Sequence, residues 1–376
     1  MATTLTGTES HSHARALLGA ALGPAGRPSH AYLFHGPAGV GKRAAARAFA
    51  AELLAEGAAD PERVRRRVTT DAHPDLTWVV PSGAHGMRVD DVAGPVIAAA
   101  TLTPFEARRR AFVLERVETL GDEAANRLLK TLEEPGDHVH LILLSDRLCE
   151  VLPTVVSRCQ LVRFDPLSAA GLEAALERGG VAPGLARACA RLALGNGERA
   201  HALASDEGVE LRSEAECFAR AALTGELAQR PWLTLLARAK QAGERAREEV
   251  EATLAEQLVS AAKKDRKALG NDFGERAKRV ERRARTATLD LALELAGLWY
   301  RDLACTADGA LELVFASDRA EQLAADADGR ESAALREALE LVEDTRRRLK
   351  RNVGEELACE ALAYRLELLL VEPSSG

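Results

Sequence analysis

The sequence predicts an α/β P-loop domain with a parallel sheet, followed by a small helical lid domain and an all-α C-terminal domain. Three observations lead to this prediction. Residues 36–43 have the sequence G-P-A-G-V-G-K-R, which is close to a phosphate-binding loop. Short apolar runs alternate with helical patterns through the first 165 residues, and the chain beyond residue 205 is helical in pattern. We expect domain boundaries at 1–166, 167–210 and 211–376.

Five apolar runs rich in Val, Ile, Leu and Phe are predicted strands: residues 31–35, 76–80, 111–115, 139–145 and 160–164. Continuous apolar strands between helices indicate a parallel sheet that is covered on both faces. A helix precedes the fourth strand, because apolar residues recur at helical spacing there and Pro135 ends the pattern.

Helical patterns continue to the C-terminus. Residues 167–205 form short segments that are punctuated by glycine and proline. Two apolar stripes mark later helices, one formed by Leu335, Ala338, Leu339 and Val342 and the other by Leu357, Ala361, Tyr364 and Leu368. Because a helix pair with spare apolar surface needs neighbours, we expect this region to associate with other chains.

Composition excludes several classes of protein. The net charge of −7 argues against a chain that coats nucleic acid non-specifically. The six cysteines include no C-x-x-C pair, so neither a zinc site nor a disulfide framework is predicted. No apolar run has transmembrane length and the N-terminus lacks a signal-peptide core, so we expect a cytoplasmic protein without a membrane segment.

A basic run occupies residues 263–285, with ten basic residues against four acidic ones. Such a run favours a solvated helical face or a mobile linker over a binding patch. Its role stays open at this point.

The phosphate loop departs from its pattern at one position. Gly36, Gly39, Gly41 and Lys42 are the residues that would cradle phosphates, but Arg43 stands where Ser or Thr would ligate Mg²⁺. The loop therefore keeps its predicted shape and loses its metal ligand. Weak ATP or ADP binding without metal and occlusion of the site by Arg43 both remain open.

The second metal-dependent position is altered as well. Where a working P-loop ATPase has Asp-Glu at the end of a strand, this chain has Glu115-Arg116. Arg116 cannot act as a general base because its guanidinium stays protonated. No metal site is predicted, and no cofactor is required.

Two motifs carry a family resemblance. Residues 128–135 have the sequence L-L-K-T-L-E-E-P, and Ser157-Arg158-Cys159 follows at the expected distance. Together with His73-Pro74-Asp75-Leu76, they make the chain similar to the AAA+ clamp-loader family of bacterial DNA polymerase III. The resemblance is strong over the first 165 residues and covers the remainder by general architecture.

This resemblance implies an AAA+ domain, a lid and a helical collar, in a stator subunit with little intrinsic ATPase activity that is part of the polymerase III holoenzyme. It implies that Arg158, in the Ser157-Arg158-Cys159 triplet, acts as an arginine finger in trans. Arg199 would be a phosphate-sensing arginine of the lid.

The implied partners are gamma/tau and delta subunits in a hetero-pentamer, with the sliding clamp and primed DNA contacted through the complex. Ser145-Asp146 stands at the γ-phosphate-reporting position, although a polar strand end needs no function. The four zinc-binding cysteines of many family members are missing between residues 53 and 72, so no zinc is expected.

Two other functions compete with the stator hypothesis. An independent P-loop ATPase would need Glu115 and water to replace the missing metal ligands. A nucleotide-independent scaffold would use the basic run and would leave the Ser157-Arg158-Cys159 triplet without a purpose.

Overall fold

The computed structural model of the chain describes residues 5–23, 26–81, 86–260, 266–349 and 353–371. These form two compact units. The first comprises Met1–Gly171 with Gly195–Glu198, and the second comprises Leu172–Leu194 with Arg199–Gly376. The three domain boundaries expected from the sequence stay a prediction.

The first unit is built on a five-stranded parallel sheet in the order β2-β3-β4-β1-β5. Its strands are β1 Ala31–His35, β2 Leu76–Val79, β3 Arg110–Leu114, β4 Val139–Ser145 and β5 Gln160–Arg163. Each predicted strand is confirmed to within one residue at either end, and so is the parallel α/β class.

Both faces of the sheet are covered. Along β1, Tyr32 and Phe34 point into a core that α-helical residues such as Phe49 complete, while Ala31 and Leu33 point into a second core. Successive side chains of a strand lie on opposite faces, so a strand buried on both sides is apolar at every position. This is why β1 and β4 appear in the sequence as unbroken apolar runs.

Helices of the first unit are α1 Ser12–Ala21, α2 Lys42–Ala55, α3 Pro61–Thr69, α4 Val89–Val92, α5 Asp122–Glu133 and α6 Pro153–Val156. A π-helical turn, Ala93–Ala98, continues α4. The helix α5 ends one residue before the cap Glu134 and two before Pro135, as the sequence predicts.

The described residues of the second unit form helices joined by short loops, with no strand. Its helices are α7 Ala169–Arg178 and α9 Gly197–Ala204, which both begin in the first unit, and α8 Pro183–Leu192, α10 Asp206–Thr224, α11 Trp232–Ser260, α12 Arg266–Ala307, α13 Ala320–Ala327, α14 Ser332–Leu349 and α15 Glu355–Leu370. Residues 266–285 of the basic run are helical and form the first part of α12, while residues 263–265 lie outside the described residues. The long helices α11 and α12 run antiparallel along one another, and Gly243 permits close approach because an added Cβ would lie 2.9 Å from the Glu281 carbonyl oxygen.

The two C-terminal stripes have different surroundings. Leu335, Ala338 and Val342 of α14 are fully buried. On α15 the buried face is instead formed by other residues, among them Cys359, Leu362 and Leu366. The stripe of Leu357, Ala361, Tyr364 and Leu368 is exposed. An exposed apolar row on an otherwise packed helix is available to a partner.

One buried carboxylate fixes the loop before β3. Asp75 is fully buried and accepts hydrogen bonds from the backbone N–H groups of Phe105, Glu106 and Ala107 at 2.6, 2.9 and 2.9 Å. Burial alone would raise the pKa of Asp75, but these three donors hold it below its ordinary value. The Asp of the His73-Pro74-Asp75-Leu76 motif thus organises a loop.

The Asp75→Asn variant is expected to lower the free energy of unfolding by about 2 kcal/mol at neutral pH. The side-chain NH₂ group of asparagine cannot accept a hydrogen bond, so it would leave at least one of the three backbone N–H groups without its acceptor. The pKa of Asp75 is lower in the folded chain than in the unfolded chain, where it is about 3.9. The ionised carboxylate therefore stabilises the fold fully above this pH, and the stabilisation is lost as the pH falls through the folded-state pKa. The gap between wild type and variant in urea titrations should therefore shrink below about pH 4.

Asp137→Asn is the matched control, since Asp137 is exposed. It should change stability by less than about 0.5 kcal/mol. Equal stability of Asp75→Asn and Asp137→Asn at neutral pH would contradict the assigned role of Asp75.

Candidate nucleotide site and trans-acting arginine

The phosphate loop follows β1 and leads into α2, as its sequence requires. Gly36 has φ +146° and an added Cβ would lie 1.9 Å from the carbonyl oxygen of Phe164, just beyond β5. Gly41 has φ +98°, in the left-handed region that favours glycine. The loop glycines thus meet the steric demands of the fold whether or not nucleotide is bound.

Lys42 is turned back onto its own loop. Its side chain is only 6% exposed, and its ammonium group donates to the carbonyl oxygens of Gly36 and Pro37 and pairs with Asp146 at 2.8 Å. An ammonium group has three donors, and these three contacts use all of them. A phosphate would have to displace at least one of these partners.

The polar end of β4 takes part in this arrangement. Asp146 supplies the carboxylate for Lys42, while Ser145 is buried and its hydroxyl oxygen accepts from the backbone N–H of Arg147 at 3.1 Å. The structure therefore gives both residues local contacts. Their predicted role as reporters of a γ-phosphate stays a prediction.

Arg43 and Glu115, the two altered metal-dependent positions, contact each other directly. The Arg43 Nε lies 2.8 Å from Glu115 Oε1, and the Trp78 indole N–H donates to the same oxygen at 2.7 Å. The Glu115 side chain is 6% exposed, whereas that of Arg43 is 59% exposed. The carboxylate that could approach a metal is already paired with a cation of the chain itself.

Arg116 stands where a working P-loop ATPase has the glutamate that polarises the attacking water, and its backbone conformation is unusual. Its φ of +54° places a non-glycine residue in the left-handed region. Its carbonyl oxygen accepts both the backbone N–H and the hydroxyl of Thr119, at 2.9 and 2.7 Å. These two bonds hold the turn that follows β3.

Arg158 follows α6 and precedes β5. Its guanidinium donates to the Thr154 carbonyl oxygen at 2.9 Å and to the Ser157 hydroxyl at 3.3 Å, and it forms an ion pair with Glu133 at the end of α5. The side chain is still 34% exposed. The two motifs that carry the family resemblance therefore meet in space, with the glutamate of one orienting the arginine of the other.

Arg158 lies at the opposite edge of the sheet from the phosphate loop. In the parallel pairing of β1 with β5, Tyr32 is opposite Gln160 and His35 is opposite Arg163. Arg158 precedes the start of β5, while Gly36 follows the end of β1. The intervening strand length is about 15 Å. Arg158 is thus remote from the phosphate loop of its own unit and open to the surface.

Cys159, the third residue of the triplet, is mostly buried against the core on one face of the sheet. Burial raises the pKa of its thiol to about 12. A thiol with so high a pKa is an inert packing group at neutral pH.

Arg199 belongs to the second unit. It pairs with Glu294 of α12 at 2.8 Å, and Arg346 of α14 contacts the same carboxyl group at 2.8 Å. The arginine is thereby part of an ion cluster among helices. Its role as a lid sensor stays a prediction.

Sequence reasoning missed two features around the loop. Nothing in the sequence marked Trp78 as part of the site, because a single aromatic residue in a strand is usually only a packing group. The N-terminal segment also appeared merely polar. The structure shows that His11 Nε2 lies 2.7 Å from the Val40 carbonyl oxygen and that the imidazole ring packs edge-on against Phe164. Gly7 lies beside the start of α2, where an added Cβ would be 2.6 Å from the Gly41 carbonyl oxygen.

Among the described residues, no group of three or more His, Cys, Asp or Glu side chains is arranged to hold a metal ion. None of the helices in the described ranges is both long and apolar enough to cross a membrane.

Comparison with known proteins gives consistent matches. Residues 17–168 match a family described as DNA polymerase III, delta subunit. The delta′ subunit of DNA polymerase III from Bacillus subtilis is 33% identical over 192 residues, which are 50% of this chain and 58% of that protein. The Pseudomonas aeruginosa delta′ subunit is 40% identical over 147 residues, 37% of this chain and 44% of its own length. The chain thus spans about half the length of these relatives.

Another relative is the DNA polymerase III subunit gamma/tau of Mycobacterium tuberculosis, which is 36% identical over 172 residues, 44% of this chain and 29% of that protein. The matches therefore include both delta′ and gamma/tau proteins of one replication system.

The parallel sheet, the glycine loop after β1 and the paired motifs around Arg158 all lie within residues 17–168, the part that matches the delta-subunit family model. The chain is similar to two delta′ proteins of DNA polymerase III as well.

The Arg43→Thr variant is expected to make nucleotide binding depend on Mg²⁺. It supplies the missing hydroxyl ligand and releases Glu115 from its ion pair. Isothermal titration of the full chain with a non-hydrolysable ATP analogue should show a gain of about tenfold or more on adding Mg²⁺, which is about 1.4 kcal/mol.

Arg43→Ala is the control, because it also releases Glu115 but adds no hydroxyl. It should gain less from Mg²⁺ than Arg43→Thr, and the wild type should gain nothing. Equal Mg²⁺ enhancement in all three proteins would show that Arg43 does not determine metal binding.

Proposed function

We propose that this chain is a delta′-like, non-hydrolysing stator subunit of a DNA polymerase III clamp loader in the cytoplasm. It assembles with gamma/tau and delta subunits in a hetero-pentamer, donates Arg158 in trans and helps to load the sliding clamp on primed DNA. The observation that carries the proposal is the ion pair between Arg43 and Glu115.

This ion pair opposes ATP hydrolysis for an electrostatic reason. Mg²⁺ neutralises charge between the β- and γ-phosphates in a working P-loop site. Here the guanidinium of Arg43 lies 2.8 Å from the carboxylate that could approach such an ion, and Arg116 adds a second positive charge at the end of β3. A dication placed beside two arginines is repelled, and its carboxylate ligand is already engaged.

The position of Arg158 supports action on a neighbouring subunit. It lies at the edge of the sheet away from its own phosphate loop, and Glu133 and Thr154 orient its guanidinium at the surface. A preoriented guanidinium stabilises the charge that develops on a transferring phosphoryl group. The residue therefore has the exposure and the fixed geometry that a trans-acting arginine needs.

The exposed stripe of α15 supports assembly with other chains. Leu357, Tyr364 and Leu368 are 67%, 50% and 85% exposed and lie at helical spacing on one face. A contiguous apolar row of this kind loses contact with water when a partner helix covers it. We assign this face to the interface that holds the helical collar of the complex.

The two competing functions fit the contacts less well. An independent ATPase would have to break the Arg43–Glu115 and Lys42–Asp146 pairs before metal and phosphate could bind. A scaffold that ignores nucleotide gives no reason for the surface arginine that Glu133 orients.

The test replaces Arg158 in a reconstituted complex. Arg158→Ala is expected to reduce ATP turnover at the one adjoining site by up to about 10³-fold, the lower end of the range for arginine fingers. Turnover should be measured with hydrolysis at the other sites blocked by substitution, so that this single site is observed.

Arg147→Ala is the matched control, because Arg147 is also a half-exposed arginine that pairs with a surface glutamate. It should leave turnover unchanged. If Arg158→Ala assembles normally and hydrolyses ATP at the wild-type rate at every site, the trans-acting role is wrong.

A further inference from the structure

A narrow cavity lies inside the second unit, where α8, α10 and α12 meet the segment that precedes α13. Its volume is about 10 Å³, which is the space that one water molecule needs. Leu192, Leu295 and Ala316 form an apolar part of its wall, and all three are buried. The cavity therefore has room for a water molecule or a single ion and for nothing larger.

Four polar side chains line the rest of this wall. Arg212 and Glu216 come from α10, and Trp299 and Asp302 come from α12. The first two are four residues apart and the last two are three apart, so each pair lies on one face of its helix. Two helices thus present polar groups to one small space.

Two polar atoms on this wall have no hydrogen-bond partner among the described residues. They are the buried indole Nε1 of Trp299 and the buried Oε1 of Glu216. Arg212 Nε lies 2.8 Å from Glu216 Oε1, but this ion pair is not aligned as a hydrogen bond. The terminal nitrogens of Arg212 donate instead to Asp318, at 2.9 and 2.8 Å. Buried polar atoms without partners are costly, and most such atoms contact protein groups or ordered water.

The neighbouring polar contacts hold the segment 315–319. Asp302 accepts hydrogen bonds from the backbone N–H groups of Phe315 and Ala316, at 3.0 and 2.7 Å. The second oxygen of Glu216, Oε2, accepts from Arg319 Nε at 3.2 Å. The cavity therefore lies among the contacts that attach this segment to α10 and α12.

The two unpartnered atoms specify the chemistry of the occupant. It must accept a hydrogen bond from the indole N–H of Trp299, which a metal cation cannot do. It must also donate to the carboxylate of Glu216, which a halide ion cannot do. A halide would in addition lie beside the negative charges of Glu216 and Asp302. Water has the required size and is both donor and acceptor.

We propose that one water molecule occupies this cavity and bridges α12 to α10. It accepts a hydrogen bond from Trp299 Nε1 and donates one to Glu216 Oε1, and the Asp302 carboxylate on the same wall can accept its second hydrogen. The water completes the polar contacts around the segment 315–319. This site goes beyond the proposed clamp-loader function, and its failure would leave the Arg158 test unaffected.

The test is an NMR measurement on the full chain labelled with ¹⁵N-tryptophan, which gives one indole signal for each of the three tryptophans. Trp78→Phe and Trp232→Phe variants assign the signals. A bound water gives NOE and ROE cross-peaks of opposite sign between the water resonance and the indole proton, whereas hydrogen exchange gives peaks of the same sign. We expect the bound-water signature at Trp299.

Trp232 is the internal control. Its indole Nε1 is also buried and has no partner among the described residues, but Trp232 does not line this cavity. Its indole proton should therefore lack the bound-water signature. An orphaned indole group by itself is thus distinguished from one beside a hydrated cavity.

A matched pair of variants locates the water. Ala316→Ser adds one hydroxyl group to the cavity wall and is expected to displace the water, so the cross-peak at Trp299 should be lost. Ala327→Ser changes a buried alanine of the same unit that does not line the cavity, and it should retain the cross-peak. Unchanged signals of Trp78 and Trp232 check that each variant is folded.

Three results would overturn the proposal. Two concern the wild type: absence of the bound-water signature at Trp299, or an equal signature at Trp299 and Trp232. The third is a Trp299 cross-peak that persists unchanged in folded Ala316→Ser, because the water would then lie outside this cavity.

Discussion

The ion pair between Arg43 and Glu115 is the interaction on which the proposed function of the first unit depends. It joins the helix after the phosphate loop to the end of β3, and the Trp78 indole N–H fixes the same carboxylate oxygen. The chain thereby places its own cation beside the carboxylate that a metal would need. Lys42 is satisfied in a similar way by two loop carbonyl groups and Asp146. The loop is closed by contacts within the chain.

The shape of the loop and its chemistry are separable because different residues carry them. Gly36 packs against the carbonyl group that follows β5, so the fold itself requires glycine there. The proposed loss of metal binding involves only side chains, those of Arg43 and Glu115. The chain therefore keeps the loop that its sheet requires, while Arg158, the proposed trans-acting arginine, lies at the other edge of that sheet.

The sequence was sufficient to predict the five strands and the phosphate loop, because continuous apolar runs and glycine spacing are local signals. It could not predict that Arg43 contacts Glu115, since that contact depends on how α2 and β3 pack together. The sequence also could not predict which face of α15 is buried. Apolar residues surround much of this helix, so the pattern could not distinguish Leu357 and Leu368, which are exposed, from Leu362 and Leu366, which are buried.

The most direct test of the closed metal site is ATP turnover by the isolated, full-length wild-type chain with Mg²⁺ and with EDTA. We expect no Mg²⁺-dependent hydrolysis above background, because Arg43 holds the carboxylate that the ion would need. Multiple turnovers that require Mg²⁺ and that are lost in Lys42→Ala would contradict this expectation. They would identify the chain as an ATPase in its own right.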